Sequence, residues 1–152
     1  MNFYAVPRMT RDIDIIAEVL PKDSNQLYHL FKQDCYVDQE DILDAAKTSG
    51  SFNMIHNKTL VKIDVLMRKQ DPYRKMEFSR RKKQRIFSFD VYVVSPEDLI
   101  LSKLHWSKAS GSEMQSRDVK NLANSVKTLD WDYLTEWART LGIAEQLKAF
   151  VP

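Results

Sequence analysis

The chain has 152 residues, an apolar fraction of 43%, a charged fraction of 29% and a formal net charge of +2. That balance describes a folded chain with a core of its own and excludes a disordered one. Cys35 is the single cysteine, which excludes an internal disulfide and a thiolate-rich zinc site and predicts a reducing, cytoplasmic setting.

Residues 11–20 alternate and are rich in Ile and Val, which predicts a buried strand ending at Pro21. Asp23-Ser24 caps a helix in which Leu27, Leu30 and Phe31 recur at helical spacing. A second helix is expected over 39–47, stopped near Gly50. Residues 52–56 and 60–67 alternate again and are joined by a polar Asn57-Lys58 turn, the pattern of a hairpin. Asp71-Pro72 opens a helix expected to run to about Lys83, and 85–94 reads as the next strand.

Everything after Ser95 reads as helix. Ser95-Pro96-Glu97-Asp98 combines a capping serine, a proline in the first turn and two acids that suit the positive end of the helix dipole. This helix is expected to reach Lys108 and break at Ser110-Gly111-Ser112. A second starts near Ser116 and carries Val119, Leu122, Ala123, Val126 and Leu129. A third covers 131–141, ending at Gly142, and a short fourth follows from Ala144. The expected class is α+β: a mixed sheet with flanking helices, then a small helical bundle. No segment reaches the ~18 apolar residues of a membrane span, and the N-terminus lacks the layout of a signal peptide.

Asp12 and Asp14 carry the first chemical signal. Alternate residues on a strand share a face, so these two acids point one way while Ile13 and Ile15 point the other. Adjacent carboxylates repel and lose hydration, which a fold tolerates mainly when a cation sits between them. Asp64 lies on a later strand between Ile63 and Val65, with Lys62 on its own face. If the two strands are neighbours, three carboxylates converge, enough for one or two magnesium (or manganese) ions that also hold phosphate oxygens. The plainer reading makes each Asp an edge-strand charge that discourages aggregation.

The helical half adds Lys103, whose direction falls between those of Leu99 and Ile100, so its amine either snorkels outward or meets an anion. Asp118 lies beside Leu122 at the edge of the next apolar stripe. It is either an acid near that amine or a charge favoured by the start of its helix. A net charge of +2 is too small to imply a nucleic-acid partner, so local clustering has to make that case. Residues 80–85, Arg-Arg-Lys-Lys-Gln-Arg, form the one basic cluster and are expected on the last turns of a helix. There they grip the phosphates of an RNA or simply complement the helix dipole in solvent. His29, His56 and His105 share no spacing and read as structural. Trp106, Trp131 and Trp137 read as bundle core.

Four blocks occur in order: Arg-x-Thr-x-Asp-Ile-Asp at 8–14, Lys-Ile-Asp-Val-Leu at 62–66, Ser-Pro-Glu-Asp-Leu-Ile-Leu-Ser-Lys-Leu at 95–104 and Ser-Arg-Asp-Val-Lys-Asn-Leu at 116–122. The set resembles the nucleotidyltransferase superfamily, most closely the minimal bacterial, toxin-type (AbiEii-like) branch. The resemblance implies a nucleotidyltransferase-like core over 1–95 and a helical part over 96–152 packed on it as one compact unit. It implies that Asp12, Asp14 and Asp64 hold the metal, and that Arg8, Lys103 and Asp118 contact the nucleotide. The implied reaction moves a nucleoside monophosphate from a triphosphate to a hydroxyl on an RNA end, a protein or a small molecule. The family's Gly-Ser turn upstream of the acid pair has no counterpart in residues 1–6. Either residues preceding this sequence supply the turn, or the chain is a degenerate binding module, a toxin–antitoxin component pairing with a partner protein or with itself.

Overall fold

The computed structural model describes residues 3–5 and 12–151. They divide into two units: one holds 12–75, and the other holds 3–5 with 76–151. The class is α+β, as the patterning predicts.

The first unit is a sheet covered by helices on one face. Its strands are β1 (Asp12–Ala17), β2 (Cys35–Tyr36), β3 (Ser51–His56) and β4 (Lys62–Met67), in the order β1-β4-β3-β2. β1 runs parallel to β4, whereas β4–β3 and β3–β2 are antiparallel. α1 (Ser24–Phe31) and α2 (Gln39–Thr48) complete the unit. α2 starts because the Asp38 carboxylate accepts from the Glu40 and Asp41 amides, satisfying donors that the first turn leaves open. Ile42 and Ala45, one turn apart, are buried and meet Phe52, Met54, Val65 and Met67 from alternate positions of β3 and β4. The opposite sheet face therefore presents the other alternates: Asp12 and Asp14 from β1, Lys62 and Asp64 from β4, and Asn53 from β3.

β1 is not the buried strand that its isoleucines predict. It pairs with β4 alone at the sheet edge, and Ile13 remains 50% exposed. The alternation sets which residues share a face, but how much of that face is covered depends on neighbours the local sequence does not contain.

α3 (Pro72–Ser79) runs across the division between the units and ends four residues earlier than its helical pattern predicts. The basic run then continues as β5 (Lys82–Ile86), which turns back at Phe87-Ser88 into β6 (Phe89–Val93). The strand expected over 85–94 is thus divided: 85–86 end the first strand of an antiparallel ribbon, 87–88 turn and 89–93 form the second. Of the basic run, 82–85 lie in a strand, not on helix turns. Four helices follow: α4 (Pro96–Ser110), α5 (Glu113–Ser125), α6 (Trp131–Thr140) and α7 (Ala144–Lys148). α4 opens on its serine cap, with the Asp98 amide donating to Ser95 Oγ at 3.1 Å, and closes at Gly111 in the left-handed conformation. Ile100, Leu101 and Leu104 of α4 are buried, as are Val119 and Leu122 of α5, Leu134 and Ala138 of α6 and Leu147 of α7. Trp106 departs from the expected core, with 59% of its surface exposed. No helix among the described residues is long and apolar enough to cross a membrane.

Candidate functional site

The acid face follows from strand register. In the parallel β1–β4 pair, Asp14 stands opposite Asp64 and Asp12 opposite Lys62. Partners in register share a face, so all four side chains lie on the side away from α2. β3 adds Asn53 opposite Asp64, making a polar row of Asp14, Asp64 and Asn53 across three strands. Asn53 carries no sequence signal of its own; the row appears only once β3 is known to pair with β4.

The cation that adjacent carboxylates require is present within the chain. Lys62 Nζ lies 2.7 Å from Asp64 Oδ1. The hydrogen bond to Asp64 raises the Lys62 pKa above the ordinary lysine value. The charges of Asp64, Asp12 and Asp14 push it the same way, against a smaller loss of hydration. All three acids therefore act on one ammonium. Among the described residues, no three carboxylate, imidazole or thiol groups are drawn together as the ligands of a metal ion. The donor set is still chemically suited to magnesium, which commonly takes only one or two protein carboxylates and completes its shell with water and phosphate oxygens. Arg8 lies outside the described residues, as does Thr10.

The other two expected nucleotide contacts meet each other in the helical unit. Lys103 Nζ on α4 donates to Asp118 Oδ2 on α5 at 2.7 Å and to Gln115 Oε1 at 2.9 Å. Their side chains are 13% and 4% exposed. The amine that falls inside an apolar arc is thus answered by a carboxylate, the anion its position calls for.

A second polar cluster in that unit escapes the sequence reading. Asp98 is fully buried, and Glu77 and Glu97 nearly so. The Arg80 guanidinium lies 3.3 Å from both Glu97 Oε2 and Asp98 Oδ2 and stacks 3.8 Å from the centroid of the Tyr133 ring. Tyr133 OH donates to Asp98 Oδ1 at 2.6 Å, and Ser95 Oγ donates to Asp98 Oδ2 at 2.6 Å. Ser102 Oγ donates to Glu77 Oε1 at 2.8 Å. Burial, and then the bond to Asp98, push the Tyr133 phenol far above the usual tyrosine range. Glu97 and Asp98 look like ordinary first-turn acids in sequence. Arg80 and Tyr133 lie too far from these acids in sequence for any local pattern to connect them.

No protein-family model matches the chain, and no curated protein is significantly similar to it.

Proposed function

We propose that the acid face is the metal and triphosphate site of a nucleotidyltransferase working in the cytoplasm. The observation that carries this reading is the placement of Asp14 opposite Asp64, with Asp12 on the same face. Magnesium or manganese, when bound there, supplies the positive charge that holds a triphosphate and offsets the charge growing on the departing pyrophosphate. In the transfer, the acceptor hydroxyl oxygen bonds to the α-phosphorus and the bond to pyrophosphate breaks. Asp64 takes the hydroxyl proton, a role for a carboxylate within reach of the attacking oxygen. Asp12 and Asp14 would hold such an ion on this face, beside Asp64. The resemblance also assigns Arg8, Lys103 and Asp118 to the nucleotide. The pairing of Lys103 with Asp118 makes those two an ion pair between α4 and α5 before they are anything else.

Calorimetric titration with magnesium and each nucleoside triphosphate tests the reading. Binding that disappears in an Asp12→Ala/Asp14→Ala double variant is the expected result. Absence of binding, or binding indifferent to those substitutions, overturns it.

One observation favours a second reading. Lys62 already neutralises part of the acid face, as expected of a chain that has kept the sheet and lost the chemistry. On that reading the protein is a binding module, a component of a toxin–antitoxin pair. It then co-purifies with its partner unchanged by the Asp12→Ala/Asp14→Ala substitutions and by magnesium.

A further inference from the structure

The β5–β6 ribbon concentrates charge and aromatic surface that the acid face does not use. Residues 81–93 carry four cations, Arg81, Lys82, Lys83 and Arg85, against one carboxylate, Asp90. That local surplus of three exceeds the +2 of the whole chain. The remainder of the chain is therefore slightly acidic, and the ribbon is its electropositive feature.

Register sorts the side chains. Lys83 pairs with Tyr92 and Arg85 with Asp90, so these four share one face. Asp90 lies 2.8 Å from Lys83 and 3.1 Å from Arg85, holding the two cations beside each other. The Arg81 guanidinium sits 5.0 Å from the Tyr92 ring centroid. Phe87 is at the turn and 96% exposed, Phe89 is 70% exposed and Tyr92 62%. The aliphatic side chains of the ribbon, Ile86, Val91 and Val93, are half-buried. What the ribbon offers to solvent is thus mostly rings and charged side chains, with its aliphatic surface only partly open.

Phe87 also adopts φ 50, a left-handed conformation that suits glycine or asparagine in a two-residue hairpin turn. A large ring stands at this tip despite its backbone cost, and it is left uncovered among the described residues. That combination is explained by an outside ligand.

We propose that the β5–β6 ribbon binds single-stranded nucleic acid. Bases stack on Tyr92 and on the tip ring Phe87, while Lys83 and Arg85, on the same face as Tyr92, pair with phosphates. Rings accept every base through its flat face, so the site binds without strong sequence preference. An apolar protein partner or a bilayer would be better met by aliphatic side chains, which the ribbon keeps half-buried. Binding stands apart from the transfer chemistry.

The test is fluorescence anisotropy of the full chain with a labelled RNA of about 15 nucleotides, a few site sizes of a stacking surface. Binding that weakens steeply with salt is expected. Phe87→Gly removes a ring where the backbone prefers glycine, and should weaken binding about tenfold without loss of melting temperature. Tyr92→Ser, with its fold checked by circular dichroism, should act in the same direction. Lys83→Gln/Arg85→Gln should weaken binding and flatten the salt slope. Three results overturn the proposal: no RNA binding, binding unmoved by these substitutions, or capture by phosphatidylserine vesicles that RNA does not compete away. The Asp12→Ala/Asp14→Ala variant separates the two readings. Retained RNA binding with no triphosphate binding in the unmodified protein overturns only the transferase.

Discussion

Asp14 of β1 stands directly opposite Asp64 of β4, and the Lys62 ammonium, two residues along β4 on the same face, lies 2.7 Å from Asp64. In a protein that binds magnesium there, Lys62 and the ion compete for Asp64. Lys62→Met should raise the affinity for magnesium severalfold in calorimetry. It should also make thermal stability rise with magnesium more than with potassium chloride of equal ionic strength, because screening alone does not depend on which cation supplies it. Equal responses to the two salts would mean that the acids repel one another without chelating anything.

The Lys103–Asp118 pair makes a different kind of prediction. Both side chains are largely withdrawn from water, so removing one partner leaves a charge that the fold must bury alone. Lys103→Met and Asp118→Leu should each cost about 3–5 kcal/mol in denaturant unfolding, the range for breaking a buried pair. The double variant should recover most of that loss, since apolar side chains of similar volume remove both desolvation costs together. Additive losses in the double variant would show that each residue is held by separate partners. If the double variant folds and also loses triphosphate binding, the nucleotide role implied by the family resemblance gains direct support.

How much of this was legible in the sequence depended on range. The start of α4 was readable because a serine cap, a proline and two acids act within one turn. The common face of Asp12 and Asp14 follows from a two-residue period, and the possible convergence with Asp64 needed only that β1 and β4 be neighbours, as they are. Coverage was not readable: the same isoleucines suit a central strand or an edge, and β1 is an edge. The ribbon is hidden in the sequence because its turn, Phe87-Ser88, contains none of the glycine or asparagine that usually marks a two-residue hairpin. Arginine and lysine fit a helix at least as well as a strand, so the run at 80–85 reads as a continuation of the helix before it. The Arg80–Asp98–Tyr133 cluster lay beyond any local pattern because its members come from three separate parts of the chain.

Leu60 predicts a gain in stability. It sits in the connection between β3 and β4 at φ 56 with 76% of its surface exposed. Its side chain therefore contributes little burial, while its Cβ opposes the left-handed backbone by about 1–2 kcal/mol. Leu60→Gly relieves that opposition but adds freedom to the unfolded chain, which offsets part of the gain. A net stabilisation of about 0.5–1 kcal/mol is expected in chemical denaturation. A loss would show that the Leu60 side chain contributes packing worth more than its backbone costs.

Tyr133 ties stability to alkaline pH. Burial and the hydrogen bond to Asp98 raise its folded-state pKa above the ordinary value of 10.0. Below pH 10 the phenol is neutral in both states, and its stabilising contribution is fully present. As pH rises past 10, the unfolded chain releases this proton and the folded chain keeps it, so the folded state binds more protons and stability falls. Alkaline denaturation should therefore be steeper in the unmodified protein than in Tyr133→Phe, which has no phenolic proton to release at that position. At neutral pH the substitution has a separate cost. Tyr133→Phe removes one donor from the buried Asp98 carboxylate and should be less stable by about 1–3 kcal/mol. Absorbance at the phenolate band during an alkaline titration identifies the group, because one tyrosine that ionises only on unfolding should disappear in Tyr133→Phe. If Tyr133 instead titrates in the folded protein near its ordinary pKa, the bond to Asp98 is not what holds that corner of the helical unit together.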